Sequence, residues 1–347
     1  KETYGLERRT DIHESIDHLS DEDLIQNEQV VVTLSRNGFI KSTKESHYKN
    51  QRRNGRGVNT MNLDEDDFIL HLEVMYKHDN LLLFTNLGKV YQFKGYDIPE
   101  TSTSNKGIHI NNLLPNLEED EVIQSVVSVK VFSDHQFLFF TTSDGVVKKT
   151  PLSDYKNIRS NGIIAMNLQE KDRLVSVRLT DGSMNMILVT EQGKSISFKE
   201  ADVRPTGRVS RGVRGINLRS GDRVMTSDIH DNFGELFVVT EKGYGKRTKM
   251  DQFKIQNRGG YGVTALKVTK RSGSVSSALV VSDDDSILVL STNGSIIKVK
   301  ANQISSLTRM TTGSKIINLR EGDKVKTAAC VSFEEVEDDT DNQGDAR

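Results

Sequence analysis

The sequence predicts an all-β fold, a six-bladed disc of the propeller kind with about four strands per blade. Three observations carry this prediction. Two separate signatures recur six times at a period near fifty residues, each copy reads as short apolar strands joined by glycine-bearing turns, and no single unit is large enough to bury a core alone.

The first signature is an apolar run, Thr or Ser, two polar residues, glycine, and a short strand that carries lysine. It reads VVVTLSRNGFIK, LLLFTNLGKVYQFK, FLFFTTSDGVVKK, MILVTEQGKSISFK, LFVVTEKGYGKR and ILVLSTNGSIIKVK. The marker glycines are Gly38, Gly88, Gly145, Gly193, Gly243 and Gly294, spaced by 50, 57, 48, 50 and 51 residues. Apolar runs flanking a polar–Gly pair are hairpins, with the glycine supplying the positive φ of the turn.

The second signature is a glycine followed by alternating apolar residues: GVNTMNL, GIHINNL, GIIAMNL, GVRGINL, GVTALKV and GSKIINL. It opens at Gly57, Gly107, Gly162, Gly212, Gly262 and Gly313, at spacings of 50, 55, 50, 50 and 51. Alternation turns one side of a strand inward and the other to solvent. Several copies continue through Asp into a further strand, as in DRLVSVRL, DRVMTSDI and DKVKTAACV. Radial packing hides the edges of such sheets better than the rival architecture, an open β-solenoid.

The array occupies residues 29–333. It opens with the strand QVVVTL and closes with KVKTAACVSF, terminal strands of a kind by which a ring can be closed, first unit against last. Residues 1–28 read as an acidic linker, with a short helix expected at SDEDLI capped by Ser20. Residues 334–347 hold one Val among acids and polar residues and are expected to be a disordered acidic tail.

Composition agrees with an array of small sheets. Apolar residues make up 35%, charged residues 28%, and there is no Trp. No run approaches the roughly 18 apolar residues of a membrane span, and KETYGLERRT carries no apolar signal region. The missing initiator Met suggests a fragment or a processed chain. A single cysteine, Cys330, cannot form an internal disulfide, so a cytoplasmic location fits. The net charge of −2 conceals segregation. Residues 1–28 carry 9 acids against 3 bases and residues 334–347 carry 7 against 1, leaving a body with 43 bases and 33 acids. Such a body favours a polyanionic partner.

No motif asks for an active site. The eight histidines are scattered without ligand spacing, so no metal is expected. The run Asp283, Asp284 and Asp285 reads as a solvated turn. GKS at 193–195 resembles the end of a phosphate loop, but Leu188 stands where that motif requires glycine. No Ser/His/Asp set or paired carboxylates stand out. An enzyme with a site in the central channel and a protein-binding propeller remain as alternative readings.

Basic residues instead gather in the loop before the second signature. The first copy carries Lys49 and then Gln51, Arg52, Arg53, Asn54, Gly55, Arg56 and Gly57, after Lys41 and Lys44 on the preceding strand. Guanidinium forks bond phosphate oxygens, and glycines let backbone N–H groups approach. Equivalent loops carry Lys156 and Arg159, then Arg204, Arg208, Arg211 and Arg214, then Arg258, then Arg309. Recurrence at one register places these residues along one rim, with a nucleic-acid backbone as the expected partner.

QRRNGRG resembles the seven-residue box that marks the C-terminal domains of DNA gyrase A subunits, whose usual form has Gly at the position of Asn54 and Lys at that of Arg56. The resemblance runs from about ERRTDI through DEDLI to Phe333, nearly the whole chain. It implies a six-bladed β-pinwheel whose blades exchange strands with their neighbours. It also implies a function: bending and wrapping duplex DNA so that the A2B2 holoenzyme introduces negative supercoils. ATP and Mg are expected elsewhere in the holoenzyme, ATP being hydrolysed by its gyrase B subunit, with no cofactor here. The catalytic tyrosine is expected in the breakage–reunion domain that precedes such a fragment, so none of this chain's eight tyrosines takes that role. The isolated fragment is expected to be non-catalytic and monomeric. The alternative relative is the C-terminal domain of the topoisomerase IV A subunit, whose box is typically degenerate.

Overall fold

The computed structural model describes residues 21–44, 67, 69–102, 105–230, 232–292 and 296–331. Among the described residues, the second to sixth repeats each supply two long hairpin strands, a two-residue strand and a long inner strand, and the first supplies the hairpin and the inner strand. The first repeat gives β1 (Gln29–Ser35), β2 (Phe39–Lys44) and β3 (Ile69–Tyr76). The second gives β4 (Asn80–Thr85), β5 (Lys89–Lys94), β6 (Ile108–His109) and β7 (Ile123–Val129); the third gives β8 (Phe137–Thr142), β9 (Val146–Pro151), β10 (Ile163–Ile164) and β11 (Leu174–Thr180). The fourth contributes β12 (Asn185–Thr190), β13 (Lys194–Lys199), β14 (Val213–Arg214) and β15 (Val224–Ile229). The fifth contributes β16 (Glu235–Thr240), β17 (Tyr244–Lys249), β18 (Val263–Thr264) and β19 (Val275–Val281). The last contributes β20 (Ser286–Ser291), β21 (Ile296–Lys300), β22 (Ser314–Lys315) and β23 (Val325–Val331).

The sheets do not coincide with the repeats. Three strands of a repeat pair with the two-residue strand of the next one, giving the antiparallel orders β3-β1-β2-β6, β10-β5-β4-β7, β11-β8-β9-β14, β15-β12-β13-β18 and β19-β16-β17-β22. The sixth sheet has three strands among the described residues, β21-β20-β23. Both recurring glycines sit at this exchange. The carbonyls of Gly88, Gly145, Gly193 and Gly243 accept N–H groups from the next repeat, those of Ala165, Gly215, Ala265 and Ile316 respectively. Gly212 has φ +88, and a Cβ there would stand 2.5 Å from the Val147 carbonyl where the chain crosses β9.

Hairpin strands such as β4 are buried along their whole length because neighbouring blades cover both faces, so they read as continuous apolar runs. Five apolar clusters each fill the space between consecutive blades, among them Phe84, Phe140 and Tyr155 between the second and third. The Asp that follows the second signature caps the hairpin turn of its own repeat. Asp172 is buried, and its Oδ1 accepts from Ser143 Oγ at 2.8 Å and from the Asp144 N–H at 2.9 Å. Asp67, Asp222 and Asp323 receive the same kind of hydroxyl donor from Ser35, Thr190 and Thr292.

The irregular spacings have a local cause. Residues 110–122, with a short helix at Ile110–Leu113, link β6 to β7, whereas the shorter 165–173 links β10 to β11. The loop between β7 and β8 is also longer than that between β11 and β12, while the outer loop of the third repeat is shortened.

Inner strands contact one another in sequence around the centre, and β23 meets β3. Hydroxyls stitch this ring from blade to blade: Ser125 Oγ to the Val177 carbonyl, Ser176 Oγ to Ser227 and Ser277 Oγ to Ala328. The terminal strands therefore do not share a sheet, as a simple closure by first and last strand would require. β1 lies inside the first sheet, and β23 completes its own repeat's hairpin. A 3-10 turn spans Asp21–Leu24, and the segment up to Glu28 lies against the first two blades. There Glu28 pairs with Lys44 and Lys77, and His78 Nε2 lies 2.8 Å from the Ile25 carbonyl. Ser20 and the tail 334–347 lie outside the described residues.

Candidate nucleic-acid interface

The outer loops of the second, fourth, fifth and sixth repeats leave the end of a hairpin, run along the second hairpin strand of the preceding repeat, and enter the two-residue strand. Parallel bridges hold this course at Ser42 with Glu100, Lys149 with Pro205, Ser197 with Ile255 and Arg247 with Ser306. The loops of the fourth to sixth repeats are also joined to one another. Gly259 N–H donates to the Gly215 carbonyl at 2.6 Å, Asn217 N–H to Gly260 at 2.8 Å, and Lys267 N–H to Thr311 at 3.1 Å. The result is a continuous outer band of backbone carrying arginines.

Arg204, Arg211 and Arg214 are exposed on that band, and Lys156 and Arg159 are exposed on the loop of the third repeat beside it. Arg208 is half-buried and shares a groove with Lys156 and Arg159, bounded by Gln92, Lys94 and Asp97. Arg258 and Arg309 stand at the register of Arg208, four residues before the closing glycine, and their guanidiniums also build the band. Arg258 donates to the Asp202 and Arg214 carbonyls at 3.0 Å each, and Arg309 donates to the Thr264 carbonyl at 3.2 Å. Lys44 is half-exposed and paired with Glu28 at 2.9 Å. Hydrogen bonds from Lys44 and Lys77 hold the Glu28 carboxyl below the usual carboxylate range. Lys49 and the box Gln51–Gly57 lie outside the described residues.

Lys41 is the exception. Expected on the rim, it is fully buried, and its Nζ donates to the Ser102 and Asn105 carbonyls at 3.0 and 2.8 Å. Burial pushes its pKa down to about 8. Its strand faces the interior at that register, so the amine binds the crossing loop rather than solvent. Sequence reasoning also passed over Lys106. It occupies the register of Arg211, one residue before the closing glycine, and lies 5.8 Å from the Phe39 ring. Alignment on that glycine identifies it.

The central channel has a different character. Arg178 Nε pairs with Asp228 Oδ1 at 3.1 Å, and Ser128 Oγ donates to Glu73 at 3.3 Å. Burial pushes the Glu73 pKa up to about 7, opposed by the Ser128 bond and by Arg178. Burial, then the Arg178 charge, pushes His71 down to about 4. The described residues contain no cluster of three or more His, Cys, Asp or Glu side chains suited to a metal. No helix among them is long and apolar enough to cross a membrane.

Six blades around a central ring, five of them completed by an exchanged strand among the described residues, define a β-propeller with a basic outer band. The family model described as DNA gyrase C-terminal domain, beta-propeller, matches six consecutive stretches, residues 29–74, 79–130, 136–181, 185–230, 234–282 and 285–332. The chain belongs to this family. It is 44% identical over 343 residues to the DNA gyrase A subunit of Clostridium acetobutylicum, covering 99% of this chain and 41% of that protein. It is 45% identical over 341 residues to the same subunit from Halalkalibacterium halodurans, covering 98% of the chain and 41% of the relative. The chain thus spans about two fifths of these relatives' length. Among solved structures, a DNA gyrase A C-terminal domain superposes with a TM-score of 0.71 at 30% identity, covering 87% of this chain and 99% of that one. The C-terminal domain of a DNA topoisomerase IV gives 0.76 at 29% identity, covering 88% and 94%.

Proposed function

We propose that this propeller binds duplex DNA along its outer band and bends it around the disc, and that in a holoenzyme with gyrase B and the breakage–reunion domain this wrap directs ATP-driven negative supercoiling. The observation that carries the reading is the linkage of the arginine-bearing loops of the fourth to sixth repeats into one outer band, because cations along the rim of a disc offer phosphates a curved track. Smooth bending of a 20–30 base-pair segment by 40–90° costs about 1–6 kcal/mol, which several phosphate contacts can offset. Binding through phosphates tolerates any sequence and weakens steeply with salt. The box Gln51–Gly57 is proposed as the dominant grip, with the exposed band arginines extending it. Catalysis, ATP and Mg belong to other parts of the holoenzyme, and the setting is the bacterial cytoplasm. Relatives that are gyrase A subunits and the nearly intact box favour this over a topoisomerase IV role.

The test is ligation of relaxed circular DNA on the protein, together with binding of random duplex across a salt series. The wild type is expected to shift the linking number, and Arg52/Arg53/Arg56→Ala to abolish the shift. Arg208/Arg211/Arg214→Ala is expected to make the slope of log K against log salt shallower by up to about 3, near 0.9 for each phosphate no longer neutralised. An unshifted linking number with the wild type overturns the wrapping reading. Salt-insensitive binding, or none, points to a protein-binding propeller instead.

A further inference from the structure

Three residues after the marker glycine, the six repeats carry Lys41, Tyr91, Lys148, Ile196, Lys246 and Ile297, a lysine in every second repeat. The register lies on the second hairpin strand, beneath the crossing loop. All three lysines are fully buried, in a position where their unlike counterparts show that apolar side chains also fit. An ammonium held there needs hydrogen-bond partners to offset its lost hydration, and the partners are loop carbonyls. Lys148 Nζ donates to the Ala165 and Arg208 carbonyls at 2.5 Å each and lies 4.8 Å from the Phe140 ring. Lys246 Nζ donates to the Thr308 carbonyl at 2.6 Å, to Arg309 at 2.9 Å and to Thr311 Oγ1 at 3.3 Å.

Both amines thus bond the backbone of the arginine at the same register of two outer loops. A lysine whose Nζ is satisfied by Arg208 or Arg309 fixes that residue's carbonyl to the sheet. We propose that Lys148 and Lys246 are positioning residues for the DNA band: buried beneath it, they touch no phosphate, and they set where the Arg208 and Arg309 loops stand on the rim. The inference rests on the DNA-binding reading above. It gives alternate blades a preset loop, stapled from inside, whereas Tyr91 and Ile196 offer their loops no amine. Burial pushes Lys148 to about 7 and Lys246 to about 8, in keeping with amines enclosed by the loops they hold.

The experiment compares the whole chain with Lys148→Met, Lys246→Met and the double variant, since Met preserves length and removes the donors. Amide hydrogen exchange across 204–212 and 306–313 is expected to accelerate at least tenfold in the variant of the matching staple, while 255–262 stays as in the wild type. On random duplex DNA, the double variant is expected to show a salt slope shallower by about 1–2. Unchanged exchange overturns the proposal, as does a wild-type salt slope in a variant whose loops have loosened. Because a methionine variant can fail to fold, acylation footprinting of the wild type supplies an independent check. Lys148 and Lys246 are expected to stay unreactive with and without DNA, while Lys156 is labelled freely and protected by DNA. Labelling of Lys148 or Lys246 that DNA suppresses would make them direct contacts and overturn the positioning role. Absence of DNA binding by the wild type defeats the reading of the function itself, whereas normal binding with unaffected variants defeats only this inference.

Discussion

Glu73 shows how one residue's setting creates a pH dependence that its identity does not suggest. Enclosed by the channel wall, its carboxyl is pushed up to about 7 from an ordinary value of 4.5. Below pH 4.5 the group is protonated in folded and unfolded chains alike and makes no difference to stability. Between 4.5 and 7 the unfolded chain loses its proton first, so stability falls as pH rises, and the full cost of about 3 kcal/mol is present above 7. Glu73→Gln is therefore expected to leave stability unchanged at about pH 4 and to raise it by about that amount at about pH 8, read from urea midpoints. A difference independent of pH would exclude the ionisation as the cause. His71 acts in the opposite sense: with its pKa down at about 4, it removes stability as pH falls from 6.5 toward that value. Neither residue was marked as unusual by the sequence, because each lies on a strand whose neighbours across the channel belong to distant repeats.

At the scale of the element, the hairpin and its caps were largely legible. The apolar runs, the turn glycines and the two-residue strands opening at the second glycine fall where the period placed them. What the Asp after that signature does became visible only in the fold. Asp172 caps the turn of its own repeat's hairpin through Ser143 Oγ and the Asp144 N–H. Asp172→Ala leaves these donors without a buried acceptor and is expected to destabilise by about 1–3 kcal/mol. The effect should be seen as a lower denaturation midpoint, with exchange accelerating first around Thr142–Val146. A loss confined to remote blades would show that the cap is not the operative contact. The rim lysines divide at this same scale. Lys156 and Lys41 are alike in sequence logic, yet Lys156 is exposed in the outer loop, whereas Lys41 lies on β2 at a register that faces inward.

For the whole molecule, strand exchange makes each blade depend on the next, and the ring of inner strands joins the last repeat to the first. The basic body sits between two acidic segments, of which 21–28 lies against the first blades through Glu22 with Lys94 and Glu28 with Lys44 and Lys77. Residues 334–347 are also acidic, and competition between them and phosphates for the rim is testable. Truncation after Phe333 is expected to tighten DNA binding severalfold at low salt, with the gain vanishing at high salt as screening removes the competition. Unchanged affinity at low salt rejects that competition.

By itself the sequence determined the number of blades, the strand pattern, the segregation of charge and the loops in which arginine gathers. Each of these follows from local patterning repeated at a fixed period, and six copies make the pattern unmistakable. The tertiary structure decided which strand joins which sheet, how the ring meets itself at β23 and β3, and which cations face outward. Those outcomes depend on contacts between residues about fifty positions apart, where packing between blades, rather than local preference, sets burial. Lys41, Lys148 and Lys246 are the clearest case: identical in kind to the rim lysines, they were turned inward by register and given loop carbonyls to hold.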